Sequence, residues 1–551
     1  MLQLADCLKQ GKQCRKMLVE ECRNNEKELN FQIKDSLIIQ SWNALPRHPS
    51  DVRPASNEPP PRHRVDGHRW KGRYLELATV VGIGLALCSL WPSVLASYLG
   101  DSSKYRPTIH YSPPSGFMND PNGLVIKDHE FHLFYQYDPY APIIGNVHWG
   151  HAVSGDLVRW VTLPVAINET AAGQAFSGSA VIFNNSLIAA IYTRASETKQ
   201  AQELALSSDN GRTFQEYKGN PVLDRNSDSF RDPQVFWDER THEYKMTVVK
   251  ARKHQVLIYG SRDLVNWREL SSFGPAGILG IDYECPNLMR VPTEDGHYKW
   301  VLAISINPGS PLGGSGTQYF VGDFDGTTFT PDYYETKFVD FGKDFYALQT
   351  YSNARAPLGI AWLSNWQYAN FTPTGDWRGV MTLARGFGLR YTEDFKYFLT
   401  QKPVGLENLY RREILVDAES CSVPGDKALE IRAIVELRPW SRVSFSLLSE
   451  NHEQLVWGYD ANAGQAWIDR GGTFGFSQRF FTDKMSVAVI PGTTNIDIHA
   501  FFDKSTFELF LDDGTFVGTC LVFFEKLPNC LRYSLVGDGR VTNLTVNVLT
   551  P

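Results

Sequence analysis

Three short stretches with one grammar recur along this chain: Asp120-Pro-Asn-Gly-Leu-Val, Asp232-Pro-Gln-Val-Phe and Glu284-Cys-Pro-Asn-Leu-Met. Each sets a carboxylate just before a proline and then runs into apolar residues. A second run follows each, FHLFYQY, YKMTVVK and YKWVLAIS, as the return strand of a hairpin would. Two further starts fit the spacing, Ser177-Gly-Ser-Ala-Val and Phe345-Tyr-Ala-Leu-Gln. Starts at 120, 177, 232, 284 and 345 define a period of roughly fifty to sixty residues, room for about four short strands. A unit that small cannot bury a sheet face alone, so the units must stack on one another. The pattern predicts a five-bladed β-propeller over about 105–395. A single large sandwich or barrel with incidental turns remains the alternative reading of the same pattern.

After about residue 410 the repeat stops. AIVELRP, SRVSFSLLS, AWIDR, IDIHAFFD, FELFLDDG and LTVNVL alternate with period two, which predicts a separate antiparallel β-sandwich over 410–551, with 396–412 as connector. Composition agrees with an all-β chain: aromatic residues make up 13% of 551, alongside 44 Gly and 30 Pro. Such a length exceeds a single core of ~250–300 residues.

The first hundred residues have another texture. Leu77–Leu99 reads LATVVGIGLALCSLWPSVLASYL, a run without a charge that is long enough to span a bilayer. Arg62, Arg64, Arg69, Lys71 and Arg73 crowd its N-terminal side, so the positive-inside rule puts 1–75 in the cytoplasm and the remainder outside. The net charge of -7 divides accordingly into a basic tail and an acidic C-terminal part, which excludes a whole-protein nucleic-acid footprint. The segment 76–100 is expected to be a signal-anchor, retained or cleaved later, after a cytoplasmic, partly disordered tail (1–75) with Pro-rich 45–66. The four Asn-x-Ser/Thr acceptors, Asn168, Asn184, Asn370 and Asn543, all follow it, as glycosylation in a secretory compartment requires. Extracellular surface or vacuolar lumen is the expected location. Eight cysteines make no disulfide scaffold and no CxxC metal pattern; Cys520 and Cys530 could pair.

In a propeller the first strand of each blade lines the central channel, so Asp120, Asp232 and Glu284 should converge at one mouth. Three carboxylates in one funnel repel and separate in pKa, which suits glycoside hydrolysis, where one stays ionised and one keeps its proton. Calcium is the rival use, but it needs more oxygen ligands. Nearby Phe117, Gln136, Trp149, Phe176 and Trp366 supply aromatic and amide groups that favour a sugar. No metal or other cofactor is called for.

Ser115-Gly-Phe-Met-Asn-Asp-Pro-Asn-Gly123, Phe230-Arg-Asp-Pro233 and Tyr283-Glu-Cys-Pro286 resemble the three signature motifs of the invertase family, glycoside hydrolase family 32. Trp149-Gly-His, Phe176-Ser-Gly-Ser and Trp362-Leu-Ser-Asn-Trp366 extend the resemblance, and SINPGSPLGGSGTQYFVGDFDG and VDFGKDFYALQTY are similar to secreted yeast-type members. The resemblance implies a propeller followed by a sandwich, and a retaining β-fructofuranosidase acting on sucrose. Fructan hydrolysis and fructosyl transfer are the alternatives within that chemistry, and a catalytically inactive sugar-binding surface protein is the alternative outside it. It also implies roles: Asp120 as nucleophile, Glu284 as acid/base, and Asp232 as transition-state stabiliser. Asn119, Gln136, Trp149, Phe176, Ser177 and Arg231 would line the fructose pocket. Cys285 would tune the adjacent acid, and Asn307 and Trp366 would meet the leaving sugar. Phe117 and Asn287 depart from the common pattern and are expected near surfaces that set leaving-group preference. A homo-oligomer through the sandwich is left open.

Overall fold

The computed structural model describes residues 103–392, 396–415, 421–490 and 494–551. The tail 1–75 and the apolar segment 76–100 lie outside these residues. Among the described residues no helix is long and apolar enough to cross a membrane.

The first part of the described chain forms five antiparallel sheets in succession. Their first strands are Gly116–Lys127, Gln174–Phe183, Phe230–Asp238, Asp282–Pro292 and Tyr346–Thr350, and they coincide with the five starts of the sequence repeat. Each hairpin forms because alternating apolar runs are cut by turn residues; Asn184-Asn185, for instance, takes left-handed φ values of 50° and 57° at one turn. Each first strand contacts the next, and the first contacts the fifth, so the five form a ring. The ring is tied shut where Trp377–Arg378 pairs in parallel with Gly116 and Phe117. Apolar clusters fill the spaces between successive sheets.

Two features depart from the sequence expectation. Tyr397–Pro403 is the outer strand of the fifth sheet, paired along its length with Arg385–Tyr391, so the connector is shorter than 396–412. A polar-rich run (YFLTQKP) conceals its period-two pattern, yet pairing satisfies its backbone. At the other end, the segment after Tyr105 docks onto the C-terminal unit as well as the ring, where Arg106 lies over the Trp377 ring at 4.5 Å. Asp503 accepts the backbone N–H groups of Thr108 and Ile109 at 2.8 Å each, and Tyr105 Oη donates to the Phe524 carbonyl.

The C-terminal unit is a six-stranded and a five-stranded antiparallel sheet facing each other across one core. Cys421 is bonded to Cys530, and Cys520 is a buried free thiol. The sequence left a Cys520–Cys530 pairing open, and the structure decides against it: Cys520 points into the core from Phe516–Leu521, whereas Ser422 bridges to Cys530 by backbone pairing and brings Cys421 beside it.

Candidate active site

All five first strands are interrupted at one level by the same device. Between Met118 and Pro121, Ala175 and Gly178, Arg231 and Gln234, Glu284 and Asn287, and Tyr346 and Gln349 the register slips by a residue, a β-bulge. A bulge re-aims a side chain and leaves a backbone N–H unpaired. Pro233 and Pro286 lie inside two of these bulges, where a residue lacking an N–H loses nothing, and Pro121 closes a third. Asp232, Cys285 and Ala347 take positive φ of 63°, 44° and 55° there. The repeated grammar of carboxylate and proline is thus the sequence trace of a bulge that aims the carboxylates at the end of the channel.

They meet in one cavity of ≈ 350 Å³ lined by Asp120, Asp232 and Glu284 together with Asn119, Gln136, Phe176, Arg231, Asn307 and Trp366. Asp120 is buried. Its Oδ2 accepts from Ser177 Oγ at 2.7 Å, Gln136 Nε2 at 3.2 Å and Cys285 Sγ at 3.3 Å, and its Oδ1 from Asn119 Nδ2 at 3.1 Å. Burial and then the Glu284 charge push its pKa up, while these hydrogen bonds pull it back. Asp232 accepts the Cys285 backbone N–H at 3.0 Å. Burial raises its pKa to about 7 against the pull of Arg231, with Glu284 and Asp120 adding to the rise. Glu284 Oε1 accepts from Arg231 Nη2 at 2.9 Å, and its Oε2 accepts from the Tyr346 hydroxyl. Arg231 Nη2 also reaches Asp282 Oδ2 at 2.9 Å, and its own pKa rises, burial being outweighed by the surrounding carboxylates. The three carboxyl groups are thereby differentiated: Asp120 is held by neutral donors, Asp232 is deeply buried, and Glu284 is partly open to solvent with a guanidinium beside it.

The structure brings together every residue expected at the pocket, but not all of them line it. Trp149 is fully buried; its ring packs in the core and its Nε1 donates to the Phe176 carbonyl at 2.9 Å. It backs the wall instead of forming it, because its strand is third from the channel. Ser177 and Cys285 are likewise buried behind Asp120. Phe117 is buried and stacks on Trp366 at 5.9 Å between centroids, and Asn287 is buried in the channel with its Oδ1 accepting from Thr350. Neither Phe117 nor Asn287 lines the cavity itself; Phe117 lies directly behind Trp366 of the cavity wall, and Asn287 is buried in the channel. Asn168, Asn184 and Asn543 are exposed, whereas Asn370 is half-buried and its Oδ1 accepts from Ile144 N at 3.0 Å near the cavity mouth.

Sequence reading missed Tyr346, Asp282 and Arg252. Tyr346 occupies the fifth start, at the bulge level of the others, so the repeat itself was the available signal. Arg252 and Asp282 both line the mouth and pair with each other, a contact across two sheets with no sequence signature. Among the described residues no group of three or more His, Cys, Asp or Glu side chains is arranged to hold a metal ion.

Comparison with known proteins places these features. Residues 110–403 match the glycosyl hydrolases family 32 N-terminal domain and residues 407–548 its C-terminal domain. An invertase of Debaryomyces hansenii is 36% identical over 527 residues, covering 85% of this chain and 98% of that protein. An extracellular exo-inulinase of Meyerozyma guilliermondii is 38% identical over 464 residues, covering 76% of this chain and 90% of that protein. Among solved structures, a β-fructofuranosidase from Schwanniomyces occidentalis complexed with fructosyl-erythritol superposes with a TM-score of 0.75 at 34% identity, covering 82% of this chain and 99% of that one.

Proposed function

The chain belongs to glycosyl hydrolases family 32, and from that membership we infer that it is a retaining β-fructofuranosidase, an invertase that hydrolyses sucrose and related terminal β-D-fructofuranosides. The observation that carries the reading is the convergence of Asp120, Asp232 and Glu284 from three bulges into one cavity. Asp120 acts as nucleophile on the anomeric carbon of the fructosyl unit. Its neutral donors orient the carboxylate without cancelling its charge. Glu284 lies toward solvent, where it protonates the departing oxygen and then activates water. Asp232, with Arg231 beside it, binds fructose hydroxyls and stabilises the transition state. Asn119, Gln136 and Phe176 complete the fructose pocket; Asn307 and Trp366 face the leaving sugar. Trimming of fructans is the second reading, favoured by the identity to an exo-inulinase.

The test is the purified protein with sucrose, raffinose, inulin and levan, following glucose, fructose and longer products. Asp120→Asn and Glu284→Gln should each lower kcat by at least ~10²-fold. Near-normal rates in either variant would contradict the roles, and absence of fructose release from every substrate would overturn the activity.

We read the five sheets as the blades of a propeller and the C-terminal pair as a sandwich, on the closed ring of first strands and the single core between the last two sheets. A secreted or surface location with Leu77–Leu99 as signal-anchor is supported by the charge asymmetry and by the Cys421–Cys530 bond, which forms in an oxidising compartment. Glycosidase-sensitive mass on the C-terminal part is the expected result, and exposed Asn168, Asn184 and Asn543 are the sites to carry it.

A further inference from the structure

Two stretches of the sequence stand out without supplying a catalytic carboxylate: SINPGSPLGGSGTQYF and VDFGKDFYALQTY. In the folded chain they grip each other. The segment 308–315 joins the second and third strands of the fourth sheet and leaves directly from Asn307, which lines the cavity. Lys343 precedes the first strand of the fifth sheet and is 2% exposed. Its Nζ donates to the Leu312 carbonyl, to the Gly313 carbonyl at 2.8 Å and to Gln367 Oε1 at 2.7 Å. An ammonium has three N–H donors and no acceptor, so these three partners occupy it fully.

The grip extends to the cavity wall on the other side. Gln367 follows Trp366, whose backbone N–H donates to Ser315 Oγ at 3.0 Å. Asn365 donates to the Lys343 carbonyl at 2.9 Å and accepts the Gln367 N–H at 3.1 Å. Gly314, at φ +67°, permits this approach: a Cβ there would stand 2.2 Å from Asn365 Oδ1. Behind the segment lies the C-terminal unit. Leu312 packs against its core, and the Lys343 backbone N–H faces Met485 Sδ at 3.2 Å. Pro308 in turn accepts the Ile281 N–H at 3.0 Å, next to Asp282 at the mouth.

We propose that Lys343 is a positioning residue for the leaving-group side of the site: it ties segment 308–315 to Gln367, so that Asn307 and Trp366 are held as one wall backed by the C-terminal unit. This rests on the β-fructofuranosidase reading above. Lys343 touches no substrate; it acts through the loop. A role confined to packing would support all of the site equally. A role in this wall supports only substrates that reach it.

That difference supplies the test. Full-length wild type, Lys343→Met and Gln367→Leu are compared on sucrose and on methyl β-D-fructofuranoside, whose methoxy leaving group is too small to span the wall. Lys343→Met should raise KM for sucrose ~10-fold while kcat/KM for the methyl fructoside stays within about twofold, with a smaller change of the same kind in Gln367→Leu, which decides the matter if Lys343→Met does not fold. Equal losses on both substrates, or unchanged KM for sucrose, overturn the proposal. A wild-type protein that releases fructose from neither overturns instead the reading on which it rests.

Discussion

Asp120 is a carboxylate surrounded by uncharged donors, and that choice of partners sets its chemistry. Burial and the Glu284 charge raise its pKa, and the bonds from Ser177, Asn119 and Cys285 oppose the rise. Ser177→Ala removes a donor at 2.7 Å. A hydrogen bond to a charged group is worth about 1.5–3 kcal/mol, or roughly one to two pKa units. The nucleophile must be ionised, so the acidic limb of the kcat/KM profile should move to higher pH by about one unit; a profile that stays in place would show that Ser177 does not hold the reacting carboxylate. Asp120, Asp232 and Glu284 were legible in the sequence because each lies one or two residues before a proline at a repeated position. Tyr346 was not, because nothing local to Phe345-Tyr-Ala distinguishes a ring that reaches Glu284 from one that fills a core.

At the level of the strand, the bulge is the unit that turns a repeat into a site. Five inner strands slip at the same height, and the residues in the slip face the cavity or stand behind it. The fifth bulge lacks a proline and places Ala347 at φ 55°. A left-handed conformation costs an L-residue roughly 1–2 kcal/mol, and a β-branched one more. Ala347→Gly should therefore leave stability within about 1 kcal/mol of wild type, whereas Ala347→Val should lose ~2 kcal/mol or more; denaturant unfolding distinguishes them, and equal losses would argue against strain at this bulge. Period-two alternation identified most strands. It failed at Tyr397–Pro403, where polar residues occupy an outer strand, and placed the connector too early, because pairing with Arg385–Tyr391 is a long-range event that alternation does not report.

Across the whole molecule, the two units are joined by buried ions. Arg385 donates to Asp340 Oδ2 at 3.1 Å and to Glu508 Oε2 at 2.6 Å, and Arg470 to Asp344 Oδ2 at 2.7 Å, all with side chains essentially out of solvent. Removing one partner strands the other charges, so Arg385→Met should cost ~3–5 kcal/mol of unfolding free energy. His110 lies between Asp503 at 3.0 Å and Glu508 at 3.1 Å. Burial disfavours its imidazolium, but the two carboxylates outweigh burial and lift its pKa to about 9. A raised folded pKa means stability that is complete below the unfolded value near 6.5 and lost as pH rises through about 9. Unfolding free energy should fall on the order of 3 kcal/mol over that window in wild type, and the slope should flatten in His110→Gln. Parallel curves would assign the loss to other groups. Neither this network nor the docking of residues 105–110 was visible beforehand, since the partners are separated by up to 419 residues.

The sequence by itself determined the all-β class, the number and placement of the five inner strands, and the three carboxylates. These are properties of local pattern: alternation, proline and repeat spacing act within a strand or a hairpin. Only the tertiary structure decided which aromatic rings line the cavity and which stand behind it, that Cys421 rather than Cys520 bonds Cys530, and that Lys343 clasps a loop of another sheet. Those outcomes depend on which side chains the closed ring and the C-terminal unit press together. Burial and hydrogen-bond partnership across such distances are set by packing of the whole chain, and a residue's neighbours in sequence carry no record of them.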